Sequence, residues 1–142
     1  MYKSYDLKRA FLIFIAACVC VIALLYGVNP DWFARTFLGQ GTAGPAGGTA
    51  AGAESLSVST AHILRAVMGL YLALVAFWLA CAITDKHKNA AILTVMVFAG
   101  GLLAGRLLSF AIEGMPDPLL IVYAGLEASV LPLAWWVWRL PE

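Results

Sequence analysis

Four stretches of this chain stay apolar for about twenty positions each, and the charged residues collect between them. A helix rising 1.5 Å per residue needs about 20 residues to cross about 30 Å of hydrocarbon. The pattern therefore predicts four transmembrane helices, approximately at 9–26, 62–84, 90–112 and 119–138. The expected fold is all-α: an integral membrane four-helix bundle forming one domain over 1–142, with a short interfacial helix in the first outer loop.

That helix is read from "NPDWFARTFLG". Asn29 suits a cap, Pro30 the first helical position, Asp31 the helix start and Gly39 the stop. Trp32, Phe33 and Phe37 either rest on the headgroup boundary or pack as a loop covering the bundle. The Gly/Ala-rich stretch 39–53 that follows reads as flexible spacer. It is not a nucleotide loop, because no Gly-Lys-Ser/Thr ends it and no strand leads into it.

The charges between the spans set an orientation. Lys3, Lys8 and Arg9 precede the first span, Lys86 and Lys88 separate the second from the third, and Arg139 follows the fourth. Cytoplasmic loops are enriched in lysine and arginine, so both termini are expected in the cytoplasm. The opposite side holds Arg35, Glu113 and Asp117. Trp135, Trp136 and Trp138 beside Arg139 read as an aromatic belt at the cytoplasmic interface, and Tyr26, Trp32 and Phe33 mark the other face. The residues 15–18, Ile-Ala-Ala-Cys, resemble a lipoprotein cleavage site. The apolar run before Cys18 is too short for a signal sequence, so the first helix is expected to be retained.

Composition agrees. The 142 residues are 63% hydrophobic and 12% charged, with a formal net charge of +1. A balance so close to neutral argues against nucleic acid as a partner. Cys18, Cys20 and Cys81 lie within apolar runs and lack zinc-site spacing, so neither a disulfide framework nor a metal or other cofactor is expected.

Within the apolar spans, a few polar residues recur at helical spacing. Gly101, Gly105 and Ser109 form one stripe of span three; Arg65, Gly69, Ala73, Ala76 and Ala80 form one in span two. Small-residue stripes let membrane helices approach closely, within one chain or between chains. Arg106 shares its side of the helix with Ser109, and Glu113 returns to nearly the same face seven residues on. Arg106, Glu127 and Arg65 lie about 9, 12 and 8 Å into their spans from the outer side, so three ionisable groups share one level. Charges at such depth cost about 2.5 kcal/mol or more each and usually face a bundle interior or wet cavity. Both arginines are expected to point inward, with Glu127 paired to Arg106 or Arg65. Tyr71, Ser109, Tyr123 and Ser129 are the expected hydrogen-bonding neighbours, and Pro132 should kink the fourth span nearby.

Two readings of this network stay open. It fixes helix register, or it holds a ligand, the two arginines leaving a positive surplus suited to a carboxylate or lipid phosphate. His62, at the outer mouth of span two, reads as an interfacial polar residue rather than a pH sensor, and His87 as a solvated loop residue. No Ser/His/Asp set, Cys/His pair or metal cluster occurs at membrane depth, so a non-enzymatic protein is expected.

The segments "RAVMGLYLAL" and "GRLLSFAIEGMPDP", with Glu127 in the last span, resemble the DUF4345 family of small bacterial four-helix membrane proteins of unknown function. Arg65, Gly69 and Tyr71 match its Arg-x-x-x-Gly-x-Tyr pattern; Gly105, Arg106, Glu113, Gly114 and Pro116 match its Gly-Arg and acidic-Gly-x-Pro turn. The insert at 39–53 departs from the compact loop expected of that family. The resemblance implies a helical bundle in the bacterial inner membrane and supplies no activity.

Two functions follow as expectations. The chain is an accessory subunit packing in the lipid bilayer against a larger membrane-protein complex, or forming a homo-oligomer. Alternatively it carries or binds a small anionic molecule or anionic lipid through Arg65 and Arg106, with Glu127 as counter-charge. A lipid-directed enzyme using Glu127 or His62 as base lacks a nucleophile beside either.

Overall fold

The computed structural model describes residues 2–37, 57–116 and 118–141. The predicted spacer 39–53, with Gly39 as helix stop, lies outside the described residues. Five helices and no strands occur among those residues: α1 (Tyr2–Gly27), α2 (Pro30–Phe37), α3 (Val58–Thr84), α4 (Lys88–Glu113) and α5 (Pro118–Trp138). All but α2 are long and apolar enough to cross a membrane. The chain is an all-α, multi-pass membrane protein.

Helix ends differ from the apolar spans by a few residues, and local chemistry explains why. Helix α1 starts seven residues before the predicted span, since its polar first turns continue the same helix. Asn29 caps α2 as expected: its Oδ1 accepts from Trp32 N at 3.1 Å, and Pro30 is the first helical residue. Ser57 does the same for α3, accepting from Thr60 N at 3.1 Å. Between α3 and α4, Asp85 and His87 both adopt left-handed backbone (φ 59° and 57°), which turns the chain within four residues. Helix α5 runs on through Pro132.

The described residues divide into two compact units, residues 1–18 with 74–142, and residues 19–73. The first contains α4, α5, the start of α1 and the end of α3. Its core is built from Leu12, Ala16, Trp78, Ala82, Ile92, Val95, Ala134 and Val137, all essentially inaccessible. Trp78 is the largest of these. Its indole Nε1 donates to Thr94 Oγ1 at 2.9 Å, the Thr94 hydroxyl donates to Ala91 O at 2.7 Å, and its ring meets Phe98 edge-on at 5.7 Å. A buried indole needs such a partner for its N–H.

In the second unit the end of α1, α2 and the start of α3 pack around Tyr26. Its ring meets Phe33 edge-on at 4.9 Å and Tyr71 at 6.0 Å. Phe33 and Ala34 of α2 are buried while Trp32 is half exposed. Phe33 thus packs inward instead of resting on a headgroup boundary, and Trp32 keeps an outward position. At Gly27 a Cβ would fall inside the side chain of Met68, so α1 and α3 approach closely there because position 27 has no side chain.

Candidate functional site

Helices α4 and α5 form an antiparallel hairpin joined at Gly114, whose φ of 93° is a conformation that favours glycine. Seven residues before the end of α4, about 10 Å at helical rise, Arg106 reaches across to α5. Its Nε stands 3.0 Å from both carboxylate oxygens of Glu127, which lies nine residues into α5. The Arg106 guanidinium also lies 5.6 Å from the centroid of the Tyr123 ring, one helical turn before Glu127. A cation over an aromatic face is attracted by the ring quadrupole. The ion-pair side chains retain 18% and 13% exposure.

One turn beyond Arg106, the Ser109 hydroxyl donates to Glu113, which is exposed at the end of α4. Ser129 satisfies itself locally, donating to Leu126 O at 2.7 Å. Of the predicted network, the hairpin therefore unites Arg106, Tyr123 and Glu127, with Ser109 and Glu113 forming a second pair on α4.

Arg65 departs from expectation: it is exposed on α3. Helix α3 turns its buried positions Tyr71, Val75, Trp78 and Ala82 inward at spacings of four, three and four. Arg65 lies off that seam, on the same side as Gly69, Ala73, Ala76 and Ala80, all likewise exposed. The larger side chains claim the core, so the small-residue stripe of α3 faces outward. Tyr71 belongs to the aromatic cluster with Tyr26 in the second unit. His62 is exposed.

The glycines of α4 divide similarly. An added Cβ at Gly100 would meet Leu131 Cδ2 of α5 at 3.7 Å, whereas one at Gly101 or Gly105, like one at Gly69 of α3, would meet nothing within 4 Å among the described residues. The α4–α5 contact thus passes beside Gly100. Val97, Gly101, Ala104, Gly105 and Leu108 form an exposed face next to Arg106.

Sequence reasoning missed a polar cluster at the opposite end of the first unit. Lys8 is fully buried, its Nζ donating to Asn89 Oδ1 at 2.7 Å. Lys88, also buried, pairs with Asp85 at 3.2 Å. Both lysines read as flanking loop charges, but Lys8 sits inside the continuous α1 helix beside Phe11 and Leu12, which carry the core. The signal available was its place one turn before the core position Leu12 and two turns before Ile15.

No curated protein and no solved structure matches this chain. The motifs around Arg65, Arg106 and Glu127 lie within a segment, residues 7–138, that matches the family model described as Domain of unknown function (DUF4345). The chain belongs to that family.

Proposed function

We propose that this protein is a non-enzymatic accessory subunit that docks a transmembrane helix of a larger membrane complex on the open face of α4. The carrying observation is the face itself. Val97, Gly101, Ala104 and Leu108 are spaced four, three and four residues apart, all exposed, with small residues at the middle. Such a seam admits the close backbone approach that drives helix association in lipid, where apolar burial alone supplies no preference. The Arg106–Glu127 pair supports the same reading, because it balances the deepest charges of the hairpin internally and acts as a clamp between α4 and α5.

The location proposed is the bacterial inner membrane, with both termini cytoplasmic. Its support is that the Lys8–Asn89 bond brings the start of α1 to the start of α4. The antiparallel hairpin brings the end of α5 to the same end, so Lys8, Arg9, Lys86, Lys88 and Arg139 share one face of the unit.

Partial exposure of Arg106 and Glu127 favours a second reading, a binding site for a small anionic molecule or lipid. The two separate experimentally. Native mass spectrometry after mild extraction from the source membranes should recover the chain with a defined protein partner, retained in Arg106→Gln. A stable monomer, with no partner crosslinked in membranes, contradicts the subunit reading. A small anion lost in Arg106→Gln establishes the second instead.

A further inference from the structure

The basic end of the first unit carries a cation, Arg139, that no carboxylate pairs with among the described residues. Arg139 follows the last residue of α5, and its backbone N–H donates to Trp135 O at 3.2 Å, so it continues the helix by one residue. That spacing lays its guanidinium over the Trp135 ring, 4.6 Å from the centroid. The Trp135 ring is braced in turn by Trp138, stacked at 5.4 Å with 30° between planes. Arg139 is exposed, and among the described residues no group accepts a hydrogen bond from its guanidinium and no carboxylate pairs with it. Asp85, at the same end, is engaged by Lys88. Asp6 of α1 is exposed.

A guanidinium held over an indole keeps its N–H donors available, and a guanidinium fork matches two oxygens of a phosphate. The level is equally telling. Helix α5 has 21 residues, about 31 Å, so its terminal tryptophans stand where a bilayer's headgroup region begins. Trp135 and Trp136 are about half exposed there, presenting apolar surface beside the cation.

We propose that Arg139, braced by Trp135 and Trp138, is a binding site for the phosphate of an anionic phospholipid. Arg9 and Lys86, exposed at the same end, add longer-range attraction. The site is distinct from the α4 face and from the Arg106–Glu127 pair, and stands whether or not those have a partner.

The test is native mass spectrometry of the full chain in detergent with equal phosphatidylglycerol and phosphatidylcholine. The wild type should retain one phosphatidylglycerol in preference to phosphatidylcholine. Arg139→Gln should weaken that retention about fivefold, and Trp135→Leu should also weaken it although every charge remains. Lys86→Gln removes the same charge without touching the stack and should have the smaller effect. Equal retention of both lipids, or equal loss in Lys86→Gln and Arg139→Gln, overturns the site in favour of diffuse attraction. Displacement of the lipid by millimolar inorganic phosphate would show that the site takes free phosphate, and overturns the lipid assignment.

Discussion

Arg106 Nε and the Glu127 carboxylate meet at 3.0 Å across the α4–α5 hairpin, inside spans that composition assigns to hydrocarbon. In that medium neither charge is stable alone, so the pair locks the two helices in one register.

Removing one partner should therefore harm the fold more than removing both. Glu127→Gln is expected to destabilise by about 3 kcal/mol, because it strands a partly buried guanidinium. The double variant Arg106→Gln with Glu127→Gln should recover at least half of that loss. Thermal unfolding in detergent, arranged as a double-mutant cycle, measures the difference.

Glycines on close and open faces should answer differently to a methyl group. Gly27→Ala drives a Cβ into Met68 and should destabilise by about 1–3 kcal/mol, with Met68→Ala restoring part of it. Gly101→Ala and Gly105→Ala meet open space and should leave the melting temperature of the isolated chain unchanged or slightly raised. Thermal scans of the four variants distinguish the two faces.

Trp78 should be the most sensitive core position. Trp78→Phe removes the indole donor to Thr94 and leaves a void, and is expected to cost about 1–3 kcal/mol. Chemical unfolding followed by far-ultraviolet circular dichroism reads this directly.

The α3–α4 turn offers a change in the other direction. His87 holds a φ of 57° and its side chain makes no cap hydrogen bond. His87→Gly removes the steric penalty of left-handed backbone and should stabilise by about 0.5–1 kcal/mol. A lowered melting temperature would show that the imidazole carries an interaction the turn depends on.

The four long helices were legible because hydrocarbon thickness dictates the length of an apolar run, and Asn29 with Pro30 announced α2. Depth matching along the spans also singled out Arg106 and Glu127. Depth is a one-dimensional measure, however, and rotation about a helix axis is not. It could not choose between Arg65 and Arg106, and only the seam of Tyr71, Val75, Trp78 and Ala82 reveals that Arg65 stands on the exposed side. The same limit applies to the glycines, where one position separates Gly100, beside Leu131, from Gly101, which faces open space. Buried Lys8 was hidden for a different reason. The sequence marks Lys8 only as a charge flanking the first span, and its burial depends on Asn89 arriving from a helix 81 residues away.

Site-specific photocrosslinking in native membranes tests whether the α4 face receives another protein. A photoreactive residue at Ala104, inside the seam, should give one discrete adduct with a different polypeptide, while one at Leu133, exposed on α5, should give only lipid adducts. Lipid adducts alone at Ala104, or an adduct only with a second copy of this chain, would contradict the account.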